Sequence, residues 1–250
     1  MLANRVVPCL DIDDGRVVKG VRFQGLRDAG DPVECARAYE TQGGDEIVLL
    51  DVSATPQGRA NNLAVVDAVR QVLSIPLTVG GGVRAADDAA RLLEAGADKV
   101  GINTAAVERP DLIAEMKNRF GAQCTVVAVD AARSGAGWEV VVRSGSERTG
   151  IDAVEWCETA VGYGAGEILL TSWDRDGTGE GYDIELIRQV ADEVNVPVIA
   201  SGGANGYLHM IDAYEAGATA ALIASILHDG VTTVGELKAG IASAGIRVRP

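Results

Sequence analysis

Residues 76–84 read PLTVGGGVR and residues 197–205 read PVIASGGAN. Each is a short apolar run that a proline opens and a Gly-Gly pair closes, the pattern of a buried strand entering a tight turn. The two stand 121 positions apart, and the offset persists outward. DEIVLLD at 45–51 matches GEILLTS at 166–172, and LLEAGADKV at 92–100 matches AYEAGATAA at 213–221. Such a repeat indicates two halves built alike. RVVPCLD (5–11), KVGIN (99–103), CTVVAVD (124–130) and AALIAS (220–225) bring the candidate strands to eight.

Between the strands lie segments of helical period, among them LAVVDAVRQVL (63–73), DLIAEMKNRF (111–120) and IELIRQVADEV (184–194). Near-continuous apolar strands alternating with helices imply a parallel sheet covered by helices. Eight such units in 250 residues favour closure. The chain therefore reads as α/β, a single (β/α)8 TIM barrel over residues 1–250 with a two-fold half-barrel repeat. A doubly wound sheet is the alternative, but no G-x-G-x-x-G or G-x-x-x-x-G-K-[ST] pattern follows the first strand, which ends in Asp11.

A formal charge of −14 argues against nucleic acid as a partner, because phosphate backbones are held by clustered Lys and Arg. An anionic substrate would have to be drawn in locally, by backbone N–H groups and a few placed cations. Cys9, Cys35, Cys124 and Cys157 form no C-x-x-C pair and read as free thiols, mostly buried. The N-terminus lacks a signal-peptide run, and no stretch approaches a membrane span, so a cytoplasmic protein is expected.

In a barrel the active site is built at the C-terminal ends of the strands. The polar residues there are Asp11, Asp51, Gly80 to Gly82, Asn103, Asp130, Thr171, Ser201 and Ser225. Any one of them alone could be only a turn or cap. Asp11 and Asp130 end strands one and five, 119 positions apart, and so face each other across the mouth. Two such carboxylates can divide into acid and base if their surroundings separate their pKa values; the pattern does not say which is which. The glycine turns at 80–83 and 201–205 each lead into a helix and predict two phosphate sites, completed by Asn103 and Thr104 in one half and Ser225 in the other. Residues 13–32, with four glycines, are too long for an ordinary connection and suggest a mobile lid carrying Lys19.

At the other end of the strands stand Arg5, Glu46, Lys99 and Glu167. Counting by twos turns Arg5, Lys99 and Glu167 inward with Asp11, Asn103 and Thr171. Glu46 and Asp51 have opposite parity, which calls for a bulge or places Asp51 beyond its strand. An inward ring of mixed charge would neutralise itself and could form a gate. His209 reads as a surface or capping residue, and His228 as one that approaches the mouth. No His/Cys/Asp cluster has zinc-ligand spacing, so neither metal nor cofactor is expected.

The segments CLDIDDGRVVKG (9–20), LRDAGDPVE (26–34), TVGGGVR (78–84) and GAGEILLTSWDRDGTGEGYD (164–183) resemble the cyclase subunits of imidazole glycerol phosphate synthases along essentially the whole chain. DGRVVKG together with DRDGT-x-x-GYD is the most specific part. The resemblance implies a reaction in which a bis-phosphorylated ribulosyl aminoimidazole carboxamide intermediate and ammonia become imidazole glycerol phosphate and aminoimidazole carboxamide ribonucleotide. It places catalysis on Asp11, Asp130 and Lys19, and phosphate contacts on Gly82, Asn103, Thr104, Gly177, Gly203 and Ser225.

The resemblance also makes Arg5, Glu46, Lys99 and Glu167 an ammonia gate and Asp98 a docking-face acid for a partner glutaminase, the two chains forming a heterodimer. The lack of a nucleophilic Cys with His and Glu partners agrees with a separate glutaminase chain. Departures from the family pattern fall at Arg22, Gly25, Trp173, Asn205 and Asp229. Two other readings compete: the sister isomerase of the same pathway, and a noncatalytic barrel acting as a scaffold. DGRVVKG and the lower charged ring favour the cyclase over the first, and Asp11, Asp130 and Lys19 favour catalysis over the second.

Overall fold

A computed structural model describes residues 3–21 and 24–249. The first apolar run becomes β1 (Arg5–Asp13), extended by an antiparallel ribbon of β2 (Arg16–Val21) and β3 (Gln24–Gly30). Then come β4 (Ile47–Asp51), β5 (Leu77–Gly80), β6 (Lys99–Ile102) and β7 (Thr125–Ser134). A second antiparallel ribbon, β8 (Gly137–Val142) and β9 (Glu147–Asp152), extends β7. The chain closes with β10 (Glu167–Ser172), β11 (Val198–Ser201) and β12 (Ala220–Ile223).

The parallel strands β1, β4, β5, β6, β7, β10, β11 and β12 pair in that order, and β12 returns to β1, so the sheet is a closed eight-stranded barrel. The expected TIM barrel is what forms. The half-barrel repeat is visible in the excursions, because an antiparallel ribbon follows the first and the fifth barrel strand alike. Within the segment expected to be a lid, the described residues form the antiparallel strands β2 and β3: Val17 and Val18 continue the sheet, since β-branched residues suit a pleated surface. Arg22 lies outside the described residues.

Alternation splits the apolar residues into two layers. Val7, Cys9, Val48, Val126, Leu169, Ile199, Ala220 and Leu222 fill the inside of the barrel, while Val6, Leu10, Ile47, Leu49 and Val127 pack outward against the helices. Helix starts follow the local chemistry. Asp31 caps Pro32–Thr41 by accepting from the Val33 and Glu34 N–H groups, with Pro32 in the first turn. Thr233 and Glu236 form a capping box on Val234–Ser243. Cys9 and Cys157 are buried free thiols, and Cys35 and Cys124 are half-buried ones. Among the described residues no helix is long and apolar enough to cross a membrane.

Candidate active site

At the C-terminal ends of the barrel strands the loops enclose a cavity of about 500 Å³. Asp11 and Asp130 both line it, from the first and fifth strands of the ring and therefore from opposite sides. Thr171 and Ser201, at the ends of β10 and β11, line it as well.

The glycine turns flank this pair. Gly82 and Gly203 take positive φ angles of 70° and 95°, where side chains are strained. A Cβ on Gly82 would also come 2.8 Å from Ala54 Cβ. Immediately beyond β6 and β12, two short helices of matching position begin, Thr104–Glu108 and Ser225–His228. Gly82, Asn103 and Thr104 line one side of the cavity, and Gly177, Gly203 and Ser225 another. The two predicted groups are therefore assembled. The Gly82 N–H is shared with the Thr55 hydroxyl at 3.2 Å, and the Thr104 hydroxyl accepts from the Arg143 N–H at 3.0 Å.

Asn103, expected as a phosphate contact, donates its Nδ2 N–H to Asp130 Oδ2 at 2.9 Å. Burial lifts the Asp130 carboxyl to about 7, aided by the charge of Asp176 and opposed by hydrogen bonds from Asn103 and Thr171. Asp11 is also raised to about 7, again by burial first and then by Asp176, with a smaller contribution from Asp130; the Cys9 thiol works the other way. Near neutral pH the pair can thus hold and release a proton, as acid–base work requires.

Asp176 belongs to the site although strand-end counting passed it over. It sits in the DRDGT loop beyond β10, where parity has no meaning. Arg84 and Arg143 were missed for the same reason; both are loop cations lining the cavity. Arg143 is paired with Glu108 and Glu147, whereas Arg84 donates to the Gly58 carbonyl at 3.0 Å.

Other expected site residues are engaged elsewhere. Asp51 is the last residue of an unbroken β4 and takes the face opposite Val48 and Leu50, so neither a bulge nor a position beyond the strand is needed. It stands at the cavity wall, yet both its oxygens are held by Arg59, at 2.6 and 2.7 Å, which anchors the following loop. Lys19 is buried, but it does not line the cavity; its ammonium is paired with Asp229, which also holds Arg27. His228 does not line the cavity either. Its Nδ1 meets the Tyr39 hydroxyl at 2.6 Å, and burial, then Lys19, push its pKa down to about 4, leaving a neutral ring.

Of the remaining departures, Asn205 and Trp173 make local contacts. His209 Nδ1 accepts from the Asn205 N–H at 3.1 Å, a capping histidine as expected. The Trp173 ring covers the face where a side chain on Gly145 would lie, and Gly25 stands in open space at φ 62°.

At the N-terminal ends of the strands the charges close a ring. Arg5 pairs with Glu46 at 2.9 Å and with Glu167, while Lys99 pairs with Glu46 at 2.9 Å and Glu167 at 2.8 Å. All four point inward, Glu46 by sharing the face of Val48. Asp98 lies beside this end, half-exposed, accepting from the Leu77 N–H at 2.8 Å and paired with Arg70 at 3.0 Å.

A family model described as a histidine biosynthesis protein matches residues 5–233. The imidazole glycerol phosphate synthase subunit HisF of Mycobacteroides abscessus is 54% identical over 255 aligned positions, covering 99% of each chain. Proteins of the same name from Streptomyces coelicolor and Exiguobacterium sibiricum are 55% and 51% identical, covering 99% and 100% of each chain. With the paired carboxylates and both glycine turns in place, the chain belongs to the histidine biosynthesis protein family, among its imidazole glycerol phosphate synthase HisF subunits.

Proposed function

We propose that this chain catalyses the cyclase step of imidazole glycerol phosphate synthase, with Asp11 and Asp130 as its acid–base pair. One observation carries the reading: two carboxyls raised to about 7 face each other between two repeat-related glycine turns in one cavity. The two turns with their adjacent short helices hold the two phosphates of the substrate, which fixes the reacting centre between the aspartates. One carboxylate takes a proton from the attacking ammonia, and the other, protonated, delivers one to the departing nitrogen.

Ammonia enters from a glutaminase partner at the N-terminal face, passes the Arg5–Glu46–Lys99–Glu167 ring, and crosses the apolar interior formed by Val7, Val48, Val126 and Leu169. The ring supports this reading because its four charges neutralise one another, so a transient opening leaves little net charge facing a small neutral molecule. Asp98, beside the ring, is the proposed docking acid.

The test is turnover of the bis-phosphorylated ribulosyl intermediate by the purified chain near neutral pH, with enough ammonium salt to supply free ammonia and no glutaminase. Imidazole glycerol phosphate is the expected product. Tight binding with no product would overturn the cyclase reading in favour of a scaffold.

Lys19 takes part only after leaving Asp229, because its ammonium is held outside the cavity. Asp229→Ala frees it, and kcat/KM in the ammonium assay should rise about two- to five-fold, the scale of a partly exposed ion pair. An unchanged or lower value would show that Asp229 does not restrain the lysine.

A further inference from the structure

We propose that Cys9 is a positioning residue for Asp11, its thiol supplying the donor that the strands flanking Asp11 lack. The inference deepens the acid–base reading above and rests on it. The argument begins with the repeat. Asp130 receives side-chain hydrogen bonds from Asn103, at the end of β6, and from Thr171 on β10, one from each neighbouring strand. Offset by 121 positions, the corresponding neighbours of Asp11 are Ala224, beyond β12, and Leu50 on β4. Both pack with the apolar interior and neither carries a side-chain donor.

The first half compensates from below. Residues two apart on a strand share a face, and Cys9 Sγ lies 3.6 Å from Asp11 Oδ1, within hydrogen-bonding reach for sulfur. Among the described residues it is the side-chain donor that reaches this carboxylate. The equivalent position below Asp130 is Ala128, which has no such group. Cys9 is buried, and burial followed by the nearby Asp11 charge raises its pKa well above the ordinary value, so it stays a thiol and can donate. The site is thus two-fold in backbone but not in donors: strong ones on Asp130, a single weak one on Asp11.

The titratable groups facing Asp11 come from several elements. Asp176 stands on the loop after β10 and Asp130 on β7, while Asp51 beside β1 is neutralised by Arg59. His228 lies behind Cys9, with Lys19 held on Asp229. None of these is altered by changing Cys9, so a shift in the pH profile reports the thiol contact itself.

The experiment is the pH dependence of ammonium-driven turnover for the full chain and for Cys9→Ala, Cys9→Val and Cys9→Ser. Without the donor, the Asp11 anion loses support. One limb of the profile should move up by about half a pH unit in both the Ala and Val variants, the scale of one weak hydrogen bond. Cys9→Val keeps the interior filled, which separates this effect from a packing defect. Cys9→Ser, with a stronger donor, should move the same limb down and recover most of the turnover lost in Cys9→Ala. Profiles superimposable on the parent, or all three shifted in one direction, would overturn the role of Cys9 while leaving the cyclase intact. Absence of turnover in the parent chain would overturn the acid–base reading, and the Cys9 inference with it.

Discussion

Asp11→Asn and Asp130→Asn should each lower ammonium-dependent turnover by about 10²- to 10⁴-fold, the range of a lost general acid or base, while affinity for the bis-phosphate stays within a few-fold. The split follows from the geometry. In the proposed binding mode the glycine turns and short helix starts, which line the cavity from other strands, hold the phosphates, so an isosteric amide removes proton transfer without dismantling the binding sites. Steady-state kinetics paired with equilibrium binding checks this, and an undiminished rate in either variant sinks the paired mechanism.

At constant free ammonia, the parent should also show a bell-shaped rate profile around neutral pH. Burial and Asp176 raise both carboxyls to about 7, so below that range both are protonated and the base is lost; above it both are ionised and the acid is lost. Because the two groups interact, the limbs belong to the pair rather than to either residue.

Asp45→Ala should cost about 3–5 kcal/mol of stability, as expected when one member of a buried ion pair is removed. Asp45 Oδ1 accepts from Lys238 Nζ at 3.0 Å, and its other oxygen accepts from the Val6 N–H at 2.7 Å, with both side chains buried. This contact ties the helix Val234–Ser243 to β1, the first and last parts of the chain. Truncation leaves a buried ammonium and a buried N–H without their partner. Urea unfolding measures the loss, and Asp45→Ala combined with Lys238→Met should recover the part due to the unpaired ammonium, leaving about 1–3 kcal/mol for the Val6 N–H that still lacks its acceptor. A loss under 1 kcal/mol in the single variant would show that water reaches Lys238.

Much of the architecture was legible from local pattern. Eight apolar runs and a 121-residue offset are enough for a closed barrel with two similar halves, since strand burial and helix period are properties of short stretches. Parity on RVVPCLD placed Arg5 and Asp11 on one inward face, and the same count turned Lys99 and Glu167 inward. It gave no place to Asp176, Arg84 or Arg143, which lie in loops where alternation carries no direction. The second ribbon, β8 with β9, has no signature in that pattern, because an antiparallel extension of the fifth barrel strand does not alternate with a helix.

The strand count, the repeat, the facing aspartates and the glycine turns thus follow from residue type and spacing along the chain alone. How each polar group is used emerges on folding: Asn103 supports Asp130, Asp51 anchors a loop through Arg59, Lys19 is held by Asp229, and Cys9 reaches Asp11. Most of these partners belong to different strands or loops. Whether they meet depends on strand register and loop path around the closed barrel, and on the energetic requirement that each buried charge find a partner.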